Sequence, residues 1–189
     1  MMISEEKKNL RRQMKEQRRA LTPKERSMRS EEVCKRAMSL PAYNQSENVY
    51  CFISLPDELD TTVFIRESLK LGKCVFVPKV IGEQMVFRAI RSESDLEPGC
   101  MGISEPKKSC PEPDETQKHG FVLAPGLAFD AKKRRIGYGG GFYDKYFAND
   151  RKNYFLAAVG YDFQMVPEIP AEAHDLEMDC IVTEGRTYD

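Results

Sequence analysis

Short apolar runs alternate along the chain with segments of helical periodicity. The runs that have the length and composition of buried strands cover residues 49–54, 74–77, 85–90, 121–124, 155–161 and 180–183. A helix is predicted over residues 61–71, ending at Gly72, and a shorter one over residues 139–147. Strands that alternate with helices predict an α/β fold, in which a mostly parallel, twisted sheet carries helices on both faces.

Two features interrupt this pattern. Because Pro lacks the N–H that a central strand donates, the strand that begins at Cys74 is predicted to stop at Pro78. Residues 91–119 are rich in Pro, Ser, Glu and Lys and poor in large apolar side chains. This composition predicts that most of the segment is a long surface loop.

Two helices are predicted ahead of the first strand. Residues 4–20 are good helix formers that include many Lys and Arg residues, with only a thin apolar stripe. The second helix starts with a capping-box pattern at Thr22 and should run to about Met38. We therefore expect residues 1–40 to form a helical extension that packs on the α/β core of a single domain spanning residues 1–189.

The overall charge disfavours strongly electrostatic partners. Of the 189 residues 31% are charged, yet the formal net charge is only −1, which argues against duplex DNA or an anionic membrane as a partner. Met1 is followed by charged residues rather than an apolar signal segment, and no apolar run reaches the roughly 20 residues of a membrane helix. We expect a cytoplasmic monomer that binds small molecules.

The cysteines and histidines suggest neither a disulfide framework nor a zinc site. No Cys-x-x-Cys pair is present, and Cys51, Cys74 and Cys180 lie inside apolar strand-like runs. Reduced and mostly buried thiols are therefore favoured over disulfides. Zinc is disfavoured because His119 and His174 are the only histidines and neither has cysteine pairs nearby.

Residues 129–144 form the most informative segment of the chain. They follow a predicted strand and combine the four cations of residues 132–135 with Gly137 and the glycines of residues 139–141. Backbone N–H groups beside glycines can converge on an anion that arginines neutralise, so the segment predicts a phosphate-binding loop that enters a helix. It matches neither the P-loop nor the dinucleotide pattern, and a flexible surface turn with solvated arginines is the alternative.

Charged residues elsewhere can belong to the same site or to the solvated surface. Asp144 lies a few residues into the predicted helix, where it can interact with the helix dipole or bind Mg²⁺ beside phosphates. Lys7 and Arg11 are four residues apart and share a helix face, beside a second pair formed by Lys8 and Arg12. A solvated face, an RNA-binding arm and part of a nucleotide site are all compatible with this pattern.

Carboxylates also follow the first predicted strand and precede the last one. Asp57, Glu58 and Asp60 come at the sheet edge where α/β proteins bind ligands. They can cap the next helix, with Asp60 as the N-cap, or they can accept hydrogen bonds from the edge of a pterin-like ring. Asp179 can reach a metal ion, and a loop carboxylate without a function is equally compatible with its position.

The segment around the glycines resembles the signature of an enzyme family. Residues 124–130, Ala-Pro-Gly-Leu-Ala-Phe-Asp, and residues 135–144, Arg-Ile-Gly-Tyr-Gly-Gly-Gly-Phe-Tyr-Asp, closely resemble that of the 5-formyltetrahydrofolate cyclo-ligases, also called methenyltetrahydrofolate synthetases. The likeness covers nearly the whole chain, with weaker matches in the right order at residues 7–11, 52–62, 77–79, 102–106 and 174–179.

The resemblance implies an ATP-dependent ring closure. Magnesium-ATP would phosphorylate the formyl oxygen of 5-formyltetrahydrofolate, and the folate N10 would attack the activated carbon. Phosphate would then leave, which gives 5,10-methenyltetrahydrofolate, ADP and phosphate. Phosphorylation turns a poor leaving group into a stabilised one, so the protein contributes mainly alignment and neutralisation of charge.

The resemblance also implies a role for each matching position. Arg135 would lie against the transferred phosphate, with Lys7 as a second catalytic cation. The implied ATP-binding residues are Lys7, Lys8, Arg11, Arg134, Arg135, Gly137, Tyr138, Gly139, Gly140, Gly141, Phe142 and Tyr143. The implied folate-binding residues are Leu55, Glu58, Asp60, Phe142 and Tyr143, and the implied Mg²⁺ ligands are Asp144 and Asp179.

The chain departs from the family pattern at two places. Phe142 stands where the family often has Tyr, so a ring can still stack there but the hydrogen bond of a hydroxyl is lost. Lys132 and Lys133 add charge where a turn residue is usual, which leaves the local loop geometry open.

Two other protein classes share parts of the pattern. An RNA-binding module would use the basic helix and the Gly/aromatic segment, but here the aromatics sit in one short loop instead of along an exposed sheet. A sugar-phosphate isomerase-like protein shares the strand–helix alternation, but no base is obvious for it and the carboxylates fit magnesium better. An enzyme without a nucleic-acid partner is therefore favoured.

Overall fold

The structure, a computed structural model, describes residues 2–99, 102–170 and 175–189 of the chain. Cys100 and His174 lie outside the described residues. The helices are α1 (Met2–Ala20), α2 (Pro23–Met38), α3 (Pro41–Gln45), α4 (Thr62–Lys70) and α5 (Phe142–Phe147). The strands are β1 (Asn48–Cys51), β2 (Cys74–Ile81), β3 (Gln84–Ile90), β4 (Leu96–Pro98), β5 (Ser104–Pro106), β6 (Gly120–Ala124), β7 (Ala128–Phe129), β8 (Arg135–Ile136), β9 (Tyr154–Val159), β10 (Cys180–Val182) and β11 (Thr187–Tyr188).

The main sheet has seven strands in the order β11-β10-β9-β6-β1-β2-β3. Its five central strands pair in parallel, β10 with β9, β9 with β6, β6 with β1 and β1 with β2. The edge strands β3 and β11 pair antiparallel with their neighbours. The predicted mostly parallel sheet is therefore confirmed, and β11 is a short edge strand that the apolar pattern does not reveal.

Helices cover both faces of this sheet, as the sequence predicts. On one face Val33 of α2, Tyr43 of α3 and Phe64 of α4 belong to a single buried cluster with the inward side chains of the central strands. On the other face Phe147 of α5 packs edge-on against Tyr50 of β1, with ring centroids 6.0 Å apart. The side chains of each strand alternate between the two faces, and each face acquires its own core.

The predicted pair of amino-terminal helices is confirmed. α2 begins with the expected capping box, in which the Glu25 N–H donates to Thr22 Oγ1 at 3.3 Å and the Thr22 N–H donates to Glu25 Oε2 at 2.9 Å. α1 packs through the buried Met14 against a small hairpin formed by β7 and β8, where Leu127 and Ile136 complete the cluster. α1 thus lies beside the glycine-rich segment.

The prediction that the second strand stops at Pro78 is wrong, because β2 continues to Ile81. β1 pairs with β2 only as far as Phe76, whereas β3 pairs with β2 along its whole length. Past Phe76 the strand has a neighbour on one side only, and an imino acid is tolerated where no second strand needs its N–H.

Residues 91–99 and 102–119 contain more secondary structure than the predicted surface loop. Within them β4 and β5 form a two-stranded antiparallel sheet. The buried Lys79 of β2 donates from Nζ to Glu97 at 3.1 Å and to the Pro106 carbonyl at 2.8 Å, which fastens this small sheet to the main one. Its short strands have no apolar run because they bury little surface, so the sequence pattern does not show them.

Two further predictions need correction. The helix predicted over residues 139–147 begins only at Phe142, because Gly139 and Gly141 have φ values of +108° and +64°, outside the helical region. Cys74 is exposed, whereas Cys34, Cys51, Cys110 and Cys180 are buried, and all five of these described cysteines are free thiols. In the described parts of the chain, none of the helices combines the length and apolarity needed to cross a bilayer.

Candidate functional site

The carboxyl ends of the parallel strands open into a cleft with apolar walls, of about 870 Å³ including its mouth. Leu55 and Glu58 follow β1, Val80 lies near the end of β2, and Phe142 and Tyr143 come from α5. We call this space the apolar cleft. In mostly parallel sheets ligands bind at this edge, and the loops after β1 and β6 meet there.

A second cavity lies between α1 and the glycine-rich segment and measures about 560 Å³ including the open solvent at its mouth. Its walls are mostly polar, and Lys7, Arg11, Gly139 and Asp175 are among the lining residues. We call it the basic pocket. Arg135, Gly137, Gly141 and Asp144 line both the basic pocket and the apolar cleft, so the two cavities share a wall.

Arg135 is the cation at this shared wall. Its side chain is only 5% exposed, and Nη2 donates to Asp144 Oδ1 at 3.0 Å. The guanidinium also lies over the ring of Tyr143, 5.7 Å from the centroid. Its buried Nε has no hydrogen-bond partner within the described part of the chain. A donor enclosed in this way can be satisfied by a ligand oxygen.

α1 contributes two cations to the basic pocket, and of the three possibilities that their spacing left open this placement favours part of a ligand site. Lys7 Nζ donates to Asp175 Oδ2 at 2.8 Å, and Arg11 Nε donates to the Gly137 carbonyl at 2.9 Å. The second contact ties the glycine segment to α1. Lys8 is exposed and lines neither cavity, so the structure does not bring it to the site.

Arg134 points away from both cavities into an ion pair with Asp130. Its Nε donates to Asp130 Oδ2 at 2.7 Å, and its Nη2 lies 3.2 Å from Glu168 Oε1. The Asp130 carboxylate is fully buried and also accepts the Ile169 N–H at 2.9 Å. Burial acts to raise the pKa of Asp130, but hydrogen bonds from the Arg134 side chain and from backbone N–H groups outweigh it and leave the pKa below its usual value.

The Asp130 contacts fix the tight turn between β7 and β8. Asp130 Oδ1 accepts the N–H groups of Lys132 at 3.0 Å and of Arg134 at 3.2 Å, and Lys133 takes a left-handed φ of +62°. The lysines that depart from the family pattern thus occupy a turn that a carboxylate holds closed. The next residue, Arg135, begins β8 and enters the shared wall.

The glycines of the loop after β8 have conformations that other residues rarely adopt. Gly139 and Gly141 have φ values of +108° and +64°. A Cβ on Gly140 would lie 2.7 Å from the ring of Phe142, closer than packed atoms approach. The backbone of this loop can therefore curve around the basic pocket only because these positions lack side chains.

Glu58 is the buried carboxylate of the apolar cleft. Its Oε2 accepts the Leu55 N–H at 2.8 Å, and its Oε1 accepts the Tyr138 hydroxyl. Burial raises the pKa of Glu58 above its usual value, although these hydrogen bonds and the nearby Arg18 act to lower it. Asp60 is exposed and lines an adjoining groove that Leu55 and Glu58 share.

Asp60 also contributes to the start of α4. Its Oδ1 accepts the Thr62 N–H at 2.9 Å, although the helix begins so that Thr61, not the predicted Asp60, is the N-cap. The carboxylate therefore has a local structural contact while it remains at the rim of the groove.

Tyr143 presents an unsatisfied hydroxyl near the cleft. The hydroxyl is buried and has no hydrogen-bond partner among the described residues, and burial raises its pKa well above the usual value. The group therefore stays protonated and can donate to a ligand. Phe142, without a hydroxyl, contributes an apolar ring to the same wall.

The two predicted metal ligands lie in different surroundings. Asp144 is 23% exposed and lines both cavities. Asp179 precedes β10 and lines neither, and its Oδ2 accepts the Leu156 N–H at 2.7 Å and lies 2.9 Å from Arg151. Asp179 therefore lies outside the apolar cleft and the basic pocket, both of which Asp144 lines.

Asp144 is a candidate magnesium ligand beside phosphates, with one carboxylate oxygen, Oδ1, already accepting from Arg135 at 3.0 Å and from the Leu176 N–H at 3.2 Å. Within residues 2–99, 102–170 and 175–189, no group of three or more His, Cys, Asp or Glu side chains is placed to hold a metal ion. Magnesium, however, is commonly held by one or two carboxylates together with substrate phosphates. A partly exposed carboxylate at the wall of the basic pocket fits that arrangement.

Arg18 is the residue of this site that the sequence analysis missed. It is almost completely buried at the end of α1, and its Nη1 donates to the Tyr138 hydroxyl at 2.7 Å. It follows Arg11 by seven residues and therefore lies two turns further along the same helix face. Lys15 lies on the same face, four residues after Arg11, so spacing alone does not distinguish Arg18 from the other cations of α1.

Comparisons with known proteins agree with the geometry. A family model described as the 5-formyltetrahydrofolate cyclo-ligase family matches residues 3–184. The 5-formyltetrahydrofolate cyclo-ligase of Escherichia coli K12 is 29% identical over 181 residues, which cover 93% of this chain and 99% of the relative. The probable 5-formyltetrahydrofolate cyclo-ligase of Schizosaccharomyces pombe is 31% identical over 166 residues, 80% of this chain and 81% of the relative.

A solved structure shows the same fold. The NMR structure of Aquifex aeolicus 5,10-methenyltetrahydrofolate synthetase superimposes with a TM-score of 0.82 at 31% sequence identity. The match covers 96% of this chain and 91% of that chain. The similarity thus extends over the whole architecture, including the elements that form both cavities.

Proposed function

The chain belongs to the 5-formyltetrahydrofolate cyclo-ligase family, and from that premise we propose how its two cavities divide the reaction. The enzyme is a ligase of folate metabolism that converts 5-formyltetrahydrofolate to 5,10-methenyltetrahydrofolate. ATP is the co-substrate, and ADP and phosphate are released. The triphosphate lies in the basic pocket and the folate ring in the apolar cleft.

This proposal rests on the observation that the two cavities share a wall. Arg135 and Asp144 line both spaces, so a group in the basic pocket can reach a group in the cleft past the same two side chains. Phosphoryl transfer needs donor and acceptor oxygens roughly in line, with cations around the transferred group. A shared wall with a buried guanidinium supports that arrangement.

In the basic pocket, side chains of α1 and backbone groups of the glycine loop surround the phosphates. Lys7 and Arg11 supply charge from one side, and the N–H groups around Gly139 and Gly141 supply donors from the other. Arg135 completes the enclosure next to the terminal phosphate. Its unsatisfied Nε and its burial favour a strong interaction with phosphate oxygens.

In the apolar cleft, the folate heterocycle packs against aromatic and aliphatic side chains. Phe142 offers a ring for stacking, and Val80 and Leu55 cover the apolar surface. Glu58 accepts hydrogen bonds from the donor edge of the heterocycle, and the Tyr143 hydroxyl donates to an acceptor of the folate. Asp60 lines the adjoining groove, where it contacts the part of the folate that extends beyond the cleft.

The proposed ring closure has three steps. The formyl oxygen attacks the terminal phosphorus and the bond to the ADP oxygen breaks, while Arg135 neutralises the charge on the equatorial oxygens. N10 attacks the formyl carbon and loses its proton, which the departing phosphate takes up. The carbon–oxygen bond breaks last, so the former formyl oxygen departs in phosphate and the five-membered methenyl ring is complete.

Asp144 is the carboxylate that would hold Mg²⁺ with the nucleotide. Magnesium, when bound, neutralises phosphate charge and orients the triphosphate. Asp144 also accepts from Arg135, so it positions that guanidinium whether or not a metal is present. Asp179 is bound to Arg151 and a backbone N–H, and the proposal therefore does not depend on it.

Absorbance of the methenyl product tests this function directly. Purified protein with 5-formyltetrahydrofolate and magnesium-ATP should produce the methenyl band, with one ADP released per product. Reactions without ATP, and reactions with ATP but without the folate, should produce neither. Methenyl product formed equally well without ATP, or ADP release that ignores the folate, would contradict the proposal.

A further inference from the structure

Arg18 connects three parts of the site from a buried position. The residue is only 2% exposed. Besides its hydrogen bond to the Tyr138 hydroxyl, it lies 3.4 Å from Asp57 Oδ2 and 3.8 Å from Glu58 Oε1. Arg18 belongs to α1, Tyr138 to the glycine loop, and the two acidic residues to the loop after β1. Arg18 therefore contacts all three segments and links them to one another.

The direction of each hydrogen bond in this group follows from the chemistry of its members. A guanidinium can only donate, so the Tyr138 oxygen accepts from Arg18 at 2.7 Å. Tyr138 must therefore use its own proton to donate to Glu58 Oε1. The second carboxylate oxygen of Glu58 accepts the Leu55 N–H at 2.8 Å. The chain of donors runs from Arg18 through Tyr138 to Glu58.

The guanidinium also holds the aromatic ring of Tyr138. The carbon at its centre lies 5.6 Å from the ring centroid, and Lys15 lies 5.5 Å from the same centroid. Tyr138 is 37% exposed as a residue, so burial alone does not fix its side chain. Its orientation depends on the two cations and on the hydroxyl contacts.

Under the proposed function, the two ends of this hydrogen-bond network lie beside different substrates. Tyr138 lies between Gly137 and Gly139, whose backbone surrounds the basic pocket. Glu58 lines the apolar cleft, where the folate binds. A nucleotide that orders the glycine loop orders Tyr138 as well, and Tyr138 in turn orients the carboxylate that meets the folate. Once the first ligand has ordered the shared elements, the second ligand need not order them again.

We propose that Arg18 is a positioning residue that, with Tyr138, couples ATP binding to folate binding, so that each substrate tightens the binding of the other. The inference rests on the proposed function of the two cavities. Coupling of this kind is reciprocal and is typically between about fivefold and 150-fold. About tenfold is expected here, because one hydrogen-bonded connection joins the two loops.

Isothermal titration of the intact enzyme measures this coupling. The dissociation constant of 5-formyltetrahydrofolate is determined with and without a saturating non-hydrolysable ATP analogue and Mg²⁺, and the ratio is the coupling factor. The wild type should give about tenfold. Arg18→Met and Tyr138→Phe should each bring the factor close to one, and the double variant should lose no more than either single variant.

Tyr138→Phe is the decisive variant because it removes one oxygen and keeps the ring. If Arg18→Met fails to fold by circular dichroism, Tyr138→Phe alone decides the test. Arg18→Lys should restore part of the coupling, since it keeps a buried cation with fewer donors. A wild-type factor near one, or an undiminished factor in folded Tyr138→Phe, would overturn the inference.

The failure of this inference differs from a failure of the proposed function. If coupling is absent but the wild type still forms methenyl product with ATP, only the role of Arg18 is wrong. If neither ligand binds and no product forms, the assignment of the cavities is wrong. At saturating ATP, loss of coupling should raise the apparent KM for the folate by about the coupling factor, whereas at limiting ATP the KM for the folate should change much less.

Discussion

At the scale of single residues, burial decides which charged groups can act in the site. Arg135 and Glu58 are both buried, and each makes part of its possible hydrogen bonds within the protein. Lys8 and Arg134, by contrast, are exposed or fully engaged elsewhere. The sequence therefore suggests more cations at the proposed phosphate site than the structure places there.

Replacing Arg135 tests the cation at the shared wall. Arg135→Ala should lower kcat by about 10³-fold, which is typical for an arginine that stabilises a transferred phosphoryl group. It should also lower the free energy of unfolding by about 1–2 kcal/mol, because Asp144 loses its partner in a largely buried contact. This loss is expected because the Arg135 side chain is buried, whereas an exposed loop cation would contribute little to stability.

Arg135→Lys separates the two effects. A lysine keeps the charge beside Asp144 and should restore most of the stability, but it lacks the planar fork that binds phosphate oxygens. Single-turnover kinetics and denaturant unfolding measure the two quantities. A kcat within tenfold of the wild type in both variants would remove Arg135 from the transfer step.

The neighbouring lysines of α1 form a matched pair for the basic pocket. Lys7→Ala should raise the KM for ATP by about tenfold or more, since a charge-assisted hydrogen bond to phosphate is lost. Lys8→Ala, one position further along the same helix, should leave it unchanged because Lys8 is exposed and lines neither cavity. Steady-state kinetics at varied ATP gives both values, and equal effects would contradict the placement of the triphosphate.

The raised pKa of Glu58 predicts a pH dependence of folate binding. Burial holds the pKa above the ordinary value, so the carboxylate takes up a proton at a higher pH than an exposed glutamate does. As the pH falls from 7 towards 5, the KM for the folate should rise. The KM for ATP should change less.

Glu58→Gln is the control for this profile. The amide cannot titrate, so its folate KM should be raised at neutral pH and should lack the inflection that is due to Glu58. Any inflection that remains in Glu58→Gln belongs to the folate itself. An identical inflection in both proteins would show that Glu58 does not titrate on folate binding.

At the scale of elements, the glycine loop and α1 form the nucleotide site together. Arg11 binds the Gly137 carbonyl, and Met14 packs against the β7–β8 hairpin that precedes the loop. The buried Asp130 closes the turn of that hairpin and so determines where Arg135 emerges. The position of the loop thus depends on packing from outside it as well as on its own glycines.

Alanine variants of two glycines with the same left-handed conformation distinguish the effect of backbone strain on stability from an effect on nucleotide binding. Gly141 has a φ of +64° and Gly72 a φ of +73°, and neither has an atom closer than 3.9 Å to an added Cβ. Alanine at either position should lower the free energy of unfolding by about 1 kcal/mol. Only Gly141→Ala should also weaken ATP-analogue binding, by about tenfold, because the loop shifts to relieve the strain.

Calorimetric titration and thermal unfolding of both variants check this prediction. Gly72 lies after α4, in a turn that lines neither cavity, so Gly72→Ala controls for the loss of stability alone. Equal nucleotide affinities in the two variants would show that the conformation of Gly141 does not shape the phosphate site.

The sequence predicts the elements whose signals are local. The apolar runs locate the central strands, the Thr22 capping box locates α2, and the glycine signature locates the loop between β8 and α5. The β7–β8 hairpin and the β4–β5 sheet escape prediction because their strands bury too little surface to form a periodic run. β2 passes through Pro78 because its neighbour on one side has ended, which only the sheet topology reveals.

The residues of the candidate site, like the elements of the fold, could be predicted only in part. Lys7, Arg135 and Asp144 line the cavities as the family resemblance implies. Arg18 and its partner Tyr138 are 120 residues apart in sequence, and no local pattern links them. Contacts of this kind depend on how α1 docks, and a single sequence does not encode them in any spacing.

At the scale of the whole molecule, the sheet brings three distant segments to one edge. The loop after β1 contributes Glu58, the segment around α5 contributes Arg135 and Asp144, and α1 contributes Lys7. The amino-terminal helices are therefore part of the site as well as of the scaffold. That residues 1–189 form one domain and act as a monomer remains a prediction.

The central claim is that the two cavities transfer a phosphoryl group from ATP to the formyl oxygen of the folate. Isotope transfer tests it most directly. The enzyme is given 5-formyltetrahydrofolate labelled with ¹⁸O in the formyl group, and the inorganic phosphate released during turnover is analysed by mass spectrometry. One ¹⁸O atom is expected in each phosphate, whereas unlabelled phosphate, with the label lost to water, would contradict phosphoryl transfer to the formyl oxygen.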